Sequence, residues 1–591
     1  MALVGWSKSA TGNPVLITGM SATTTTAQTP GTWTATGSMS VARQAYFTAT
    51  LLTNGKVLVA GGSDGAAALS SAELYDSSTG TWTPTASMST ARVGHTATLL
   101  PDGKVLVAGG QSTTVHSTAE LYDPVTGLWT LTGSMNVPRS FHVGTLITGG
   151  PLSGMVIIAA GSSEGGGGSN NLVSAELYDP STRLWAYTGN MTVERYFELH
   201  SQTALPDGSV LIMGGTDCCP YHWLNEAELY VSVSQTWTPT SSKTTPAKGR
   251  SVLLPDGKVL VAGGVRGTQP TAVNVASAEL FDSSTGTWTA TASMSTDRNG
   301  HTLTALPSGQ VLVAGGTSGG WGVCNDLTSA ELYDSGADTW FLTGNMSAAR
   351  SLFTATLLPN GQVLAAGGAD CEGNILSSAE LYTPPPVATV STTSLTFRLQ
   401  LVGTRSRAQI ATLTNTGTTE LTISSIDASG DFVVKDDCGS SLLPGATCTL
   451  KVAFRPTAIG VRTGAVTITD DAANSPQTIA LTGTGTVVEL SPTSLDFPGQ
   501  RVGTISPPQT VTLTNTGSTP LNIQGIAISG DNFGDFIETT TCGSSVPANS
   551  SCTIDVRFRP TATGERTASL KVRHDGGGAQ PVKLKGTGAS N

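Results

Sequence analysis

Val105-Leu106-Val107-Ala108-Gly109-Gly110, followed by Glu120-Leu121-Tyr122-Asp123 and then Trp129, is the stretch that decides the fold, because the chain repeats it. The apolar strand with small residues at its end recurs as Val57-Leu58-Val59-Ala60-Gly61-Gly62. A Glu-Leu-Tyr or Glu-Leu-Phe triplet starts at Glu73, Glu120, Glu176, Glu228, Glu279, Glu331 and Glu380. A Trp follows at Trp82, Trp129, Trp185, Trp237, Trp288 and Trp340, and an arginine precedes six of the seven apolar strands, at Arg43, Arg92, Arg139, Arg195, Arg298 and Arg350. The repeat has a period of roughly fifty residues, so each copy is one supersecondary unit that buries its apolar face only against its neighbours. Asn54-Gly55, Asp102-Gly103, Asp207-Gly208, Asp256-Gly257 and Asn360-Gly361 are hairpin dipeptides that join the first two strands of a unit.

The double glycine, the Glu-Leu-Tyr-Asp run and the Trp together resemble the kelch motif, over residues 31–383. The resemblance implies a β-propeller, here of seven blades. The fifth repeat departs from it, with Pro246-Ala247-Lys248-Gly249-Arg250 where the other copies have Arg-x-x-His. After Tyr382 the chain runs into Pro384-Pro385-Pro386 with no Trp strand, and the missing piece stands at the other end, in Gly31-Thr32-Trp33-Thr34. The N-terminal strand is therefore expected to complete the seventh blade and remove an open sheet edge.

Residues 384–386 read as a stiff proline linker. Beyond them lie two copies of another unit, residues 387–486 and 487–591, while residues 1–30 read as an extension. Thr412 to Gly417 matches Thr512 to Gly517, and Phe454-Arg455-Pro456-Thr457 matches Phe558-Arg559-Pro560-Thr561. About a hundred residues of period-two strands and turns suit an immunoglobulin-like sandwich. The Asn-Thr-Gly, Cys-to-Cys and Phe-x-Pro pattern resembles the bacterial immunoglobulin-like repeats of the choice-of-anchor D and ASH type. The whole chain is thus expected to be all-β.

Charged residues are only 12% of the chain, against about 25% in typical soluble domains. With a formal net charge of −11 and no basic stripe, the chain lacks the phosphate-binding surface that nucleic acids require. No apolar run reaches the roughly 18 residues that would span a bilayer, and Trp6, Lys8, Gly12, Asn13 and Pro14 interrupt any signal-peptide core in this chain. Of the eight cysteines, Cys438 with Cys448 and Cys542 with Cys552 form matching local pairs. Such pairing reads as disulfides in an oxidising compartment, hence a secreted or cell-surface protein.

The loops between second and third strands vary most in content and are the candidate site, since function concentrates on variable loops held by a rigid scaffold. Blade four offers Cys218, Cys219, Tyr221, His222 and Trp223; blade six offers Trp321 and Cys324; blade seven offers Asp370 and Cys371. Cys324 and Cys371 sit in adjacent blades and could staple them, which would leave Cys218 and Cys219 to pair with each other. The blade-four loop reads as a rigid turn and nothing more, as a ligand platform of Tyr221, Trp223 and the cysteines, or, least favoured, as a place for metal or redox chemistry. His95, His142, His200 and His301 share one repeated position with Phe47 and Phe353, which suits packing beside the channel better than metal binding. The repeated Glu and Arg read as semi-buried ion pairs between blades.

The leading expectation is a non-catalytic binding or adhesion protein, with no cofactor and no metal, that takes a glycan or a protein partner on the loop face. The alternative is an enzyme on the same face. The propeller-plus-sandwich outline is similar to the galactose-oxidase family of copper radical enzymes, which implies a copper site near Tyr221-His222, although a second Tyr and a second His in convergent loops are lacking. A glycan-active enzyme would instead use loop carboxylates such as Asp217, Asp326, Asp370 and Glu372.

Overall fold

The structure is a computed structural model, and it describes residues 31–44, 46–164, 170–195, 201–216, 224–241, 243, 248–267, 271–320, 322–323, 325–578 and 581–590. Among these residues, seven sheets each follow a path of four antiparallel strands. In the first blade the path runs Thr48–Leu51, Val57–Ala60, Ala72–Asp76 and Thr81–Thr85. The seven first strands are Thr48–Leu51, Thr96–Leu99, Val143–Leu146, Ser201–Ala204, Lys248–Leu253, Thr302–Ala305 and Thr354–Leu357. Each touches the next, and the last touches the first, so the sheets form a closed ring.

The fourth strand of the last blade is Thr32–Thr36, paired antiparallel with Ala379–Thr383 so that Trp33 lies opposite Tyr382. Their rings are 5.0 Å apart, as are those of Tyr75 and Trp82 and of Tyr122 and Trp129. The second strand of every blade is buried on both faces. Val105 and Val107 of blade two pack in one cluster with Leu58 and Ala60 of blade one. Each such side chain withdrawn from water contributes about 2 kcal/mol. The glycines that end the strand permit the approach of the next connector: a Cβ on Gly109 (φ 65°) would stand 2.5 Å from the Arg139 carbonyl, and one on Gly110 (φ 85°) 2.9 Å from the Cβ of His95.

The repeated arginine ties blade to blade. The Arg92 backbone N–H donates to the Leu69 carbonyl of blade one (3.0 Å), while its side chain enters blade two. There Nη1 donates to the carbonyls of Gly109 (2.7 Å) and Thr118 (2.9 Å), and Nη2 to Glu120 Oε1 (3.0 Å). The other Glu120 oxygen accepts the Ser89 N–H at 2.8 Å. The same ion pair forms at Arg43–Glu73, Arg139–Glu176, Arg195–Glu228, Arg298–Glu331 and Arg350–Glu380. All six arginines are fully buried, so each charge is offset by its carboxylate and by carbonyl acceptors rather than by water.

Blade five solves the same problem differently. A methionine stands six residues after the Trp in the other repeats, as in Trp129 and Met135, and Lys243 occupies that place after Trp237. Lys243 is buried, attracted by Glu279 and repelled by Arg195, and burial brings its amine down to about 8.

Each sandwich stacks two sheets over an aromatic trio, Phe397, Phe432 and Phe454 in the first and Phe497, Phe536 and Phe558 in the second. Cys438–Cys448 and Cys542–Cys552 are disulfides. The Asn-Thr-Gly element has a structural cause. Buried Asn415 donates to the Thr419 and Leu442 carbonyls at 2.7 and 2.9 Å and accepts the Gly417 N–H at 3.0 Å, which ties its own turn to the Leu442 segment. Asn515 makes the equivalent bonds to Thr519, Val546 and Gly517. No helix among the described residues is long and apolar enough to cross a membrane.

Candidate functional site

The residue just before the first strand is Phe47, His95, His142, His301 or Phe353, buried in every case. One residue earlier, the backbone is left-handed at Tyr46 (φ 65°), Gly94 (68°), Phe141 (52°), Gly300 (66°) and Leu352 (52°). Bulky residues seldom adopt this conformation, and strain of roughly 1–3 kcal/mol each persists only where the surroundings impose it. Here a belt of backbone hydrogen bonds imposes it. Gly94 N–H donates to the Tyr46 carbonyl (3.3 Å), Phe141 to Gly94 (2.8 Å) and Leu352 to Gly300 (2.9 Å), each from one blade to its neighbour. The turned backbone sets the rings of Tyr46 and Phe141 edge to face, 4.9 Å apart.

These residues surround a cavity of about 390 Å³ on the propeller axis, within the ~300–1,000 Å³ of small-molecule sites. All seven blades contribute, in order through Tyr46, His95, Phe141, Ser201, Arg250, His301 and Leu352. Among the described residues lining it there is no carboxylate, and Arg250 is the one side chain charged at neutral pH. The variable loops open on this rim, since Ser63, Gln111, Thr317 and Ala369, which follow the second strands, pair with Gln44, Val93, Asn299 and Ser351 before the first strands.

His95 and His301 are held as neutral imidazoles. Burial, with Arg92 adding, lowers His95 to about 3, and burial with Arg298 and Arg250 does the same to His301. His95 Nε2 shares a hydrogen bond with Thr48 Oγ1 (3.2 Å), and His142 Nε2 with Thr96 Oγ1 (3.1 Å). Thr48 and Thr96 sit opposite Ala60 and Ala108 in their hairpins; in blade five the residue in that register, opposite Ala262, is Arg250. His301 thus faces an arginine where the other two face a hydroxyl.

Of the residues expected at the site, Cys218, Cys219, Tyr221, His222, Trp223, Trp321 and Cys324 lie outside the described residues, as does His200. Asp370 does not line the axial cavity. Its Oδ1 accepts the N–H groups of Glu372 (3.1 Å) and Asn374 (2.8 Å), which closes its own loop. The backbone bonds hold its carboxyl below the usual range, with the Asn374 side chain the larger contribution. Asp326 of blade six accepts the N–H of Cys371 in blade seven, so the two loops do meet, and Cys371 is disulfide-bonded. Burial raises the Asp326 carboxyl. The axial residues Tyr46, Phe141, Arg250 and Leu352 escaped the sequence reading, although Gly94 and Gly300 at one repeated place already signal a left-handed backbone there.

Among the described residues, only Asp437, Cys438 and Cys448 bring three potential ligand atoms within 4.8 Å of one another, and those cysteines are bonded to each other. His95, His142 and His301 share no such group among the described residues.

Comparison with known proteins agrees with this architecture. The kelch motif matches residues 45–89, 92–136 and 246–295. The HYDIN/CFA65/VesB-like Ig-like domain matches residues 392–484, and the ASPM-SPD-2-Hydin (ASH) domain residues 486–582. Among curated proteins, none matches the sequence. Among solved structures, a fungal alcohol oxidase of the AA5 family, in complex with copper, superposes with a TM-score of 0.51 at 16% identity, over 76% of this chain and 99% of that one. At that identity the likeness is one of fold alone. The chain is a kelch propeller followed by two immunoglobulin-like domains of the HYDIN and ASH kind.

Proposed function

We propose that this chain is a non-catalytic, exported binding protein that seats a glycan at the axial mouth of its propeller, with the two sandwiches as spacers. The observation that carries the reading is the composition of the cavity. It combines an aromatic wall at Tyr46 and Phe141, hydroxyls from Ser201, Ser251 and Thr302, and neutral imidazoles, with no carboxylate among its described lining. Aromatic faces complement the apolar faces of sugar rings, and a few placed polar groups fix orientation. An acid–base pair, which hydrolysis of a glycosidic bond requires, has no candidate among the described residues of the lining. Two disulfides support an oxidising compartment. The first sandwich meets the propeller at the far end of the blades, where Thr418 lies against the Gly361 turn, and so leaves the mouth open.

Glycine occupies the Phe141 position in blades two and six, so Phe141→Gly keeps the backbone and removes the ring. On a glycan array the variant is expected to lose at least tenfold in affinity with an unchanged melting temperature. Full binding by Phe141→Gly, with loss in a Tyr221→Ala, Trp223→Ala double variant, would move the site to the blade-four loop.

A further inference from the structure

The two sandwiches are copies of one unit, so each serves as a control for the other, and their outer sheets differ in charge. In the second, the strands Gly564–His574 and Val582–Ala589 pair so that Thr567 lies opposite Lys585 and Ser569 opposite Lys583. The inward residues Leu570, Val572, Val582 and Leu584 are buried, and the alternate residues Lys571, Arg573, Lys583 and Lys585 are exposed. In the first sandwich the matching strands Gly460–Asp470 and Gln477–Thr486 place Thr463 opposite Thr482 and Ala465 opposite Ala480. One backbone bond fixes the equivalence, since the Ala480 N–H donates to the Thr393 carbonyl and the Lys583 N–H to that of Thr493. The four places hold Thr467, Thr469, Ala480 and Thr482 in the first copy. Four neutral residues have become four cations.

The fold sets these cations in a row. Successive outward positions along Gly564–His574 are 567, 569, 571 and 573, and the four levels carry Lys585, Lys583, Lys571 and Arg573 in turn. Outward residues two apart on a strand are about 7 Å apart, so the row is about 20 Å long. It is invisible in the chain as written, because ten residues separate Arg573 from Lys583 and only strand pairing brings them into line. Among the described residues the row makes one ion pair, Lys585 with Glu565 at 2.9 Å, and Asp496 lies opposite Lys585 on the strand Ser494–Arg501. Lys571, Arg573 and Lys583 keep their charge for something else. The row does not serve the fold, since neighbouring like charges oppose it, and the first sandwich builds the same sheet with threonine and alanine there.

Beside the Lys583 end lies a groove of about 460 Å³, lined by both lysines, by the hydroxyls of Ser494, Thr567 and Ser569, and by the carboxyls of Asp496 and Asp531. Cations about 7 Å apart with hydroxyls and carboxyls beside them suit a linear chain in which anionic groups alternate with hydroxyl-rich rings. That chemistry is an acidic polysaccharide. Duplex DNA carries one charge per ~1.7 Å, so four cations would meet about a dozen phosphates over the same length, and a chain of net charge −11 would repel the rest.

We propose that the outer sheet of the second sandwich is a docking strip for a linear acidic polysaccharide, whose carboxylate or sulfate groups meet Lys571, Arg573, Lys583 and Lys585. The strip is separate from the axial mouth, whose described lining comes from the blades alone. It makes the second sandwich an attachment module as well as a spacer.

The test is calorimetric titration of the full chain with an oligogalacturonate, a heparin oligosaccharide, a neutral malto-oligosaccharide and a short duplex DNA. The parent is expected to bind at least one of the two acids about tenfold or more above the neutral sugar, and the tighter of the two names the anionic group. That affinity is expected to fall by roughly tenfold or more between about 50 and 200 mM salt, as counterion release from three or four contacts requires. Lys571→Thr, Arg573→Thr, Lys583→Ala and Lys585→Thr together install the residues of the first sandwich, so this variant is expected to melt like the parent and to lose the preference. Arg398→Gln, Arg405→Gln, Arg407→Gln and Lys435→Gln together remove the same charge from exposed sites of the first sandwich, and this variant is expected to bind like the parent. Equal losses in the two variants, a neutral sugar bound as tightly as the acids, or DNA bound more tightly than either acid would overturn the proposal. The glycan site at the mouth would stand in each of those cases, because Phe141→Gly tests it separately.

Discussion

Lys243 shows how one residue can replace a motif. Six blades neutralise the buried glutamate with an arginine four residues after a methionine; in blade five the cation has moved to the methionine place itself, and position 247 carries alanine. Lys243→Met alone removes an amine whose burial outweighs the attraction of Glu279, so it should cost much less than breaking one of the arginine–glutamate pairs. Lys243→Met combined with Ala247→Arg rebuilds the common pattern and should recover the parent melting temperature. The two proteins should then differ in pH dependence. Folding lowers the Lys243 amine from 10.5 to about 8, so the native state holds that proton less tightly than the unfolded chain does. The stability tied to this group is complete above the unfolded value of 10.5 and is lost as pH falls through 8. Between pH 7 and 10 the parent should gain about 2–3 kcal/mol relative to the double variant. Denaturant melts of both proteins across that range measure it, and parallel profiles would refute the assignment.

At the scale of the strand, the ring depends on glycines in two different ways. Gly109 combines a left-handed backbone with a neighbour that a Cβ would strike, whereas Gly257 has φ 85° and nothing within 4 Å. Gly257→Ala should thus show only backbone strain, about 1 kcal/mol. Gly109→Ala should cost several times that, because the Arg139 carbonyl it displaces belongs to the connector of the next blade. Urea melts of the pair separate the two effects, and equal losses would count against inter-blade contact as the cause. The strand Thr32–Thr36 poses the same question for a whole element. Deleting residues 1–38 removes half-buried Trp33 from Tyr382 and exposes the edge of Ala379–Thr383, which together should cost about 3–5 kcal/mol. This architecture was legible because its cause is periodic: burial on both faces of each second strand forces the apolar run and the double glycine to recur. The axial site was not, because its cause is local. A register shift between Lys248 and Arg250 moves the arginine to the threonine place, and no alignment on Arg-x-x-His counts through it. Asp370 misled for a similar reason, since a loop carboxylate that caps its own turn looks in sequence like one that faces a ligand.

For the whole molecule, the question is whether the sandwiches belong to the binding unit or only hold it. The junctions are packed rather than loose. The Pro384 carbonyl accepts the Thr419 hydroxyl (3.1 Å) and the Pro386 carbonyl the Ala473 N–H (3.3 Å), while between the sandwiches Gly576 accepts both the Val487 N–H (3.0 Å) and the Thr486 hydroxyl (3.1 Å). Packing transmits orientation, yet every residue described around the axial cavity comes from the blades. Each sandwich has its own core, with its disulfide sulfurs near or within it. Replacing Cys542 and Cys552 by alanine should therefore lower the stability of the second sandwich by about 2–3 kcal/mol and appear in calorimetry as an earlier, separate transition. The propeller transition should stay in place, and glycan affinity measured below the first transition should equal that of the parent. A variant made by substitution is the right instrument here, because a reductant would also open the disulfide of Cys371 on the propeller rim. If affinity falls when only the distal sandwich is loosened, the sandwiches act on the mouth through those packed junctions, and the spacer role has to be given up.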